Sequence, residues 1–195
     1  DAHPSQLTAG IPQLPTRRLK GTFFLITSPD SPSSWVARRN AVAQGHEVAS
    51  HTVTHRDLTT LSEGEMRSEL IESQFAITQN VPGQACASLA YPYTNSNSPV
   101  QAAAAEYFVA ARSGWVTPNR FLNHYQSGQD QYGSWTAINF YTIAGMNGDS
   151  LGINNPYLTD QWFNESLNQA VSRHALFNLH FHDITDASAF GNILD

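Results

Sequence analysis

Short apolar runs alternate with longer amphipathic stretches along most of this chain. Gly21 to Ile26 (GTFFLI) is apolar almost throughout, the pattern of a buried strand. Ser33 or Ser34 is placed to cap a helix that runs to about Gln44, where Gly45 supplies the stop. His46 to Ser50 (HEVAS) reads as the next strand. Ser62 opens a second helix, and Glu65 three residues on completes a capping box. Met66, Leu70 and Ile77 give that helix an apolar stripe near helical spacing. Cys86 to Tyr91 reads as a third strand. Ser98-Pro99 opens an alanine-rich helix, with Pro99 suited to the first turn. Phe108 to Ala111 is a further strand, Ser134 to Ile143 holds strand-like residues, and Asp160 precedes a helix reaching about Arg173. Ala175 to His182 (ALFNLHFH) reads as the last strand.

Strands alternating with helices predict a parallel α/β sheet, either open or closed into a barrel. Chemistry in such folds sits beyond the C-terminal strand ends. No repeat, low-complexity stretch or linker divides the sequence, so its 195 residues are read as a single domain, 1–195.

Composition narrows the partners. The net charge is −6, with one lysine (Lys20) and scattered arginines, which argues against nucleic acid or an anionic membrane surface. No apolar run is long enough for a transmembrane helix, so membrane insertion is not expected. Cys86 is the only cysteine, which rules out an internal disulfide and a Cys-rich zinc site. A secreted or cell-surface protein is expected from the richness in Asn, Ser, Gln and Thr beside so little Lys. The sequon Asn164-Glu165-Ser166 matters only in a eukaryotic secretory route. Oligomeric state is left open.

Candidate chemistry starts at Ser50-His51-Thr52-Val53-Thr54-His55, directly after the HEVAS strand. Two histidines four apart share a face if the segment turns helically, and two imidazoles so placed can bind one metal at about 2.0–2.1 Å. The competing reading is a loop that the two histidines cap and hydrogen-bond. The glutamate of H-E-x-x-H is missing, so a protease of that type is not expected. A catalytic metal needs a third protein ligand and an open position. Asp1 is a candidate, against the plain reading of a solvated terminal residue.

The order of these segments resembles the polysaccharide deacetylases of carbohydrate esterase family four, the nodulation-factor deacetylase (NodB) homology domain. The resemblance is carried by GTFFLI (Gly21 to Ile26), GHEVASHTVTHRDLTTLS (Gly45 to Ser62), AYPYT (Ala90 to Thr94) and LHFHDI (Leu179 to Ile184). It implies a distorted (β/α) barrel of the NodB homology type, with a metal site at the C-terminal strand ends. It implies metal-dependent removal of acetyl groups from a carbohydrate polymer, foremost N-deacetylation of N-acetylhexosamine units. An O-acetyl xylan esterase or a non-catalytic carbohydrate-binding homologue are the alternatives. The implied cofactor is one divalent ion, zinc first, with cobalt or nickel able to substitute. The implied partner is an acetylated glycan.

Residue by residue, the resemblance makes His51 and His55 metal ligands. The gap-free spacing from Asp1 to Thr22 makes Asp1 the metal-binding second Asp of the family's Asp-Asp pair. The general base would then be an Asp just upstream of Asp1, on a first strand expected to precede it. An alternative alignment makes Asp1 the base and leaves the metal to other groups, His3 included. His182 matches the catalytic histidine that protonates the leaving group, and His180 shares its side of the strand. Asp183 has the opposite parity and is read as structural or solvated. Tyr93 matches the residue whose backbone N–H faces the developing oxyanion, with Pro92 fixing the turn. Ala90 stands where the family often has an arginine that holds the base, so another group must orient it. The family's fourth motif pairs an Asp with a Trp near the late strands; Trp135, Trp162 and Asp160 are candidates for it, and an aromatic there, Trp135 foremost, would stack on a sugar ring, although Trp162 and Phe163 fit a core helix better.

Overall fold

Four short apolar strands build the sheet that carries the site. In the computed structural model, which describes residues 3–29, 32–113, 122–123, 128–130, 133–135, 139–143, 146–147, 160–172 and 174–182, they are β1 (Thr22–Leu25), β2 (Glu47–Ser50), β3 (Ser88–Ala90) and β4 (Ala110–Arg112). They pair in parallel in the order β1-β2-β3-β4, with Leu25 opposite Ser50, Ser50 opposite Leu89 and Ala90 opposite Arg112. Parallel neighbours require long crossovers, and helices supply them. These are α2 (Pro32–Ala43), α3 (Glu63–Asn80) and α4 (Ser98–Tyr107), numbered after an N-terminal α1 (Ile11–Thr16). All four strands therefore end on the same edge of the sheet.

The caps show how closely local chemistry sets these elements. α3 begins with the expected capping box between Ser62 and Glu65. α4 is capped by Asn97, whose side chain accepts from Val100 N, one residue before the expected start. α2 begins at Pro32, so Ser33 and Ser34 fall inside its first turn rather than at its cap. Proline costs nothing there, because the first helical N–H groups have no intrahelical partner. Gly45 follows α2 at φ 85°, the left-handed stop that glycine adopts without strain.

The core lies between the sheet and its helices. Val48, Leu89, Leu70, Ile77 and Ala104 are fully buried there, with Leu25, Leu58 and Ala111 beside them. Cys86 is buried in the same cluster, and desolvation pushes its thiol up to about 12, so it packs rather than reacts. A second cluster joins Ile11, Phe23 and Ala41, with Leu7 and Leu14 against it. It docks the N-terminal helical segment, a π turn at Gln6–Gly10 running into α1. This segment, which contains Gly10, Pro12 and Pro15, is assigned no element by the sequence pattern. The spacing of Leu7, Ile11 and Leu14 was the available signal.

Beyond β4 come β5 (Leu122–Asn123), β6 (Gly128–Asp130), β7 (Gly133–Trp135), β8 (Met146–Asn147), α5 (Asp160–Ser172), β9 (Leu176–Phe177) and β10 (Leu179–His180). Among the described residues of 134–143, the end of β7 is the part that forms strand. Residues 139–142 turn, with Tyr141 N donating to Asn139 Oδ1, and Ile143 makes one parallel bridge to Arg112. The expected last strand is also divided. β9 pairs antiparallel with β5 while β10 pairs parallel with β8, and a chain that changes partner and direction of pairing must break its ladder at Asn178. Among the described residues the strands form one four-stranded parallel sheet and three two-stranded pieces. The parallel α/β architecture is as expected, and these residues do not close it into a barrel.

Candidate functional site

The C-terminal ends of β2 and β3 bring the candidate residues together. His51 continues from β2, its N–H donating to Leu25 O at 2.9 Å. Of the two readings of 51–55, a helical turn or a loop, the structure shows the loop. Thr52 and His55 take left-handed φ values of 66° and 60°, and the segment is tied to the chain after β1 by Thr27 N to Thr52 O (3.2 Å) and Ser28 N to Val53 O (3.0 Å). Glu69, 7% exposed on α3, clamps it from the other side. Its carboxylate accepts from Val53 N and Thr54 N, both at 2.9 Å, and from the Thr54 hydroxyl. His55 N donates to Thr52 Oγ1 at 3.1 Å.

This loop brings His51 Nε2 and His55 Nε2 to 3.0 Å from each other. His51 Nδ1 lies 2.8 Å from Ala90 O. A carbonyl only accepts, so Nδ1 carries the hydrogen and Nε2 is left with its lone pair. Burial, then the positive charge of the N-terminus, holds His51 neutral well below its ordinary pKa, and the same two causes, followed by the His182 charge, lower His55 as well. Two nitrogens on a tetrahedral ion at about 2.0–2.1 Å would sit about 3.3 Å apart. The observed pair needs only a small opening to share a divalent metal. Among the described residues no group of three or more His, Cys, Asp or Glu could hold a metal. Asp1 lies outside the described residues, as does Asp183.

Tyr93 stands over this pair, in the turn Pro92–Thr94 that follows β3. Its ring meets the His55 ring edge-on, with centroids 4.7 Å apart. Tyr93 and Thr94 also adopt left-handed φ, 54° and 63°. Among the described residues, four of the six non-glycine residues with positive φ thus lie in these two loops. Such conformations cost roughly 1–2 kcal/mol each, and they cluster here beside the candidate residues. The loops are joined to each other: Asp57 accepts from Thr59 N and Thr59 Oγ1, and also from Asn95 Nδ2 at 2.8 Å.

His180 and His182 follow on from β10, ring centroids 5.8 Å apart and edge to face. With His51, Phe24, Leu89 and Arg112 they line a cavity of about 890 Å³. Desolvation, then the charges of Arg112 and His182, push His180 down to about 3. The backbone of Trp135 lies on β7, and the helix α5 begins at Asp160 and includes Trp162. The side chains of all three lie outside the described residues.

Three residues in this arrangement had not been singled out: Glu69, Asp57 and Arg112. Glu69 could have been found, since it falls on the buried face of α3 among Met66, Leu70 and Ser73, and a carboxylate at a core position requires a partner. Arg112 is likewise a charge at the inner end of a core strand. Asp57 gave no such signal.

A gellan lyase from a Bacillus species is 39% identical over 102 residues, covering 51% of this chain and 4% of the lyase. A chitooligosaccharide deacetylase from Bradyrhizobium is 33% identical over 105 residues, covering 54% of this chain and 48% of that enzyme. The chain thus spans less than half of either relative. Among solved structures, the Streptococcus pyogenes deacetylase PplD in complex with acetate shares the fold, with a TM-score of 0.59 at 20% identity over 74% of this chain and 59% of that one. The model of the polysaccharide deacetylase family matches residues 1–111. With more than half of its length matched, the chain belongs to the polysaccharide deacetylase family.

Proposed function

We propose that this protein removes acetyl groups from a carbohydrate, foremost N-acetyl groups of N-acetylhexosamine units, using a divalent metal held by His51, His55 and Asp1. The convergence of two neutral imidazole nitrogens, with the His51 tautomer fixed by Ala90 O, carries this reading. Zinc fits two imidazoles and a carboxylate, and cobalt or nickel would substitute. When bound, such an ion polarises an acetyl carbonyl and makes a water more acidic.

The chain's own groups supply the rest. His51 and His55 stay neutral at pH 7 and keep their lone pairs available. The Tyr93 N–H, in its left-handed turn, donates to the oxygen that gains charge as the carbonyl is attacked. A carboxylate, expected just upstream of Asp1, takes the water proton. His182, which lines the same cavity, gives a proton to the departing amine. Exposed Tyr93 and the backbone around Pro92 meet the sugar, and Trp135 is assigned to stack against it.

Acetate release from N-acetylglucosamine oligomers and from acetylated xylan tests the proposal. Release from the oligomers should vanish with a chelator and return with zinc. His51→Ala and His55→Ala should each lose bound metal. Release from xylan alone would make it an esterase. Unchanged metal content in both variants would overturn the ligand assignment.

A further inference from the structure

The two loops of the site are held in different ways. Residues 51–55 are fixed from both sides, by the Thr27 and Ser28 amides bonding to Thr52 O and Val53 O and by the Glu69 carboxylate. The turn Pro92–Thr94 has weaker internal support. Its own bonds are Thr94 N to Tyr91 O and Asn95 N to Pro92 O, both at 3.1 Å. It must carry two left-handed residues, Tyr93 and Thr94. Tyr93 is also 62% exposed, so core packing does not hold it. A strained and exposed turn keeps one conformation only where its surroundings over-determine it.

Two side-chain bonds supply that hold. Ser113 Oγ, just past β4, donates to Thr94 O at 3.0 Å and so ties the turn to the sheet. Asn95 Nδ2 donates to Asp57 Oδ2 at 2.8 Å, across 38 positions of sequence. The second bond ties the turn to the histidines, because Asp57 lies two residues beyond His55. Asp57 is a firm anchor. Its Oδ1 caps the turn Leu58–Thr60, accepting from Thr59 N at 3.0 Å and Thr59 Oγ1 at 2.7 Å, while Oδ2 takes Asn95. Leu58, fully buried, pins that turn to the core. Asn95 is exposed, so water can replace its bond at little cost in overall stability. Geometry is another matter: a misplacement of about 1 Å near a reacting centre can cost about a hundredfold in rate.

We propose that the Asp57–Asn95 hydrogen bond is a clasp that sets the Tyr93 N–H against the His51–His55 pair, which makes Asp57 and Asn95 positioning residues. This rests on the deacetylase reading, in which that N–H faces the charge developing on the acetyl oxygen. The histidine loop keeps its own supports at Thr27, Ser28 and Glu69. The clasp therefore acts on turnover and leaves metal binding alone.

Exchanging donor and acceptor tests it. Asn95→Asp sets two carboxylates against each other and opens the clasp. Adding Asp57→Asn lets the bond re-form with its polarity reversed, since an amide oxygen can still cap Thr59. With zinc-loaded protein and N-acetylglucosamine oligomers, kcat should fall about tenfold or more in Asn95→Asp while KM stays within about twofold. The double variant should return to within about threefold of the parent. Zinc affinity, read by competition with a chromogenic chelator, should stay within about twofold throughout. Circular dichroism checks folding, and Asn95→Ala, with the same expected loss of kcat, stands in if either variant fails to fold. Undiminished kcat on opening the clasp, a double variant no better than the single, or a loss of zinc affinity as large as the loss of kcat each overturns the proposal. If the parent releases no acetate from any acetylated glycan, the deacetylase reading fails and the ¹⁵N order parameter of the Tyr93 amide decides the clasp. It should fall in Asn95→Asp and return in the double variant, and an unchanged value overturns the clasp as well.

Discussion

Glu69→Ala is the most telling perturbation, because it leaves every candidate metal ligand in place and removes what holds two of them. The carboxylate accepts two backbone N–H bonds at 2.9 Å and one hydroxyl bond, all from the segment between His51 and His55. A hydrogen bond to a charged group contributes about 1.5–3 kcal/mol, and an abandoned buried donor costs about 1–3 kcal/mol. Val53 is half-buried and Thr54 exposed, so water recovers part of the loss at Thr54. The expected cost is about 2–4 kcal/mol, which for a chain of this size lowers Tm by about 2–4 °C per kcal/mol. Thermal melts of chelator-treated protein measure it. With the clamp gone, His51 and His55 must be ordered by the metal itself, so zinc affinity, read by competition with a chromogenic chelator, should fall at least tenfold. Glu69→Gln keeps one acceptor oxygen and should fall between the two. A Glu69→Ala variant within about 0.5 kcal/mol of the parent and with equal zinc affinity would refute the reasoning.

Four further outcomes are expected. His180 has its folded-state value pushed down to about 3, so below pH 6.5 the unfolded chain binds the proton first and stability falls with pH. One such group contributes a slope of up to about 1.4 kcal/mol per pH unit, and urea denaturation between pH 6.5 and 4 should show that slope reduced in His180→Phe. Tyr93→Phe should keep deacetylation within about threefold, because the backbone N–H carries the proposed role; a hundredfold loss in that variant would move the role to the phenol. Gly45→Ala should destabilise by about 1–2 kcal/mol in thermal melts, since φ is 85° and the new Cβ would lie 3.1 Å from the movable Lys20 Nζ, leaving backbone strain as the main cost. Asn95→Ala should raise the Asp57 pKa, which the Thr59 and Asn95 hydrogen bonds now hold low; an unmoved Asp57 titration by NMR would mean the bridge between the loops does not form.

The four sheet strands were legible because each is an apolar run followed by a helix with its own cap or stop, such as the Ser62–Glu65 box and Gly45. The later strands were harder to read. Periodicity marks ALFNLHFH as extended but says nothing of which neighbours it pairs with, and the change of partner at Asn178 is a tertiary fact. The histidine pair is instructive in another way. A helical turn is the way spacing alone would bring His51 and His55 together, yet they meet through two left-handed residues and a carboxylate from α3. The spacing pointed to this pair of residues, while the loop that joins them is held by one carboxylate, Glu69, 14 positions beyond His55 and 18 beyond His51.

The four left-handed residues at Thr52, His55, Tyr93 and Thr94 bear on any attempt to make this protein more robust. Glycine at Thr52 or Thr94 would relieve strain and is an obvious choice for a stability screen. Each such exchange would also free the loop to visit other conformations and so blur the spacing between the imidazoles and the Tyr93 turn. Selection for heat resistance at these positions should therefore trade against turnover, whereas the same selection at exposed Phe75 or Val109, remote from both loops, should not.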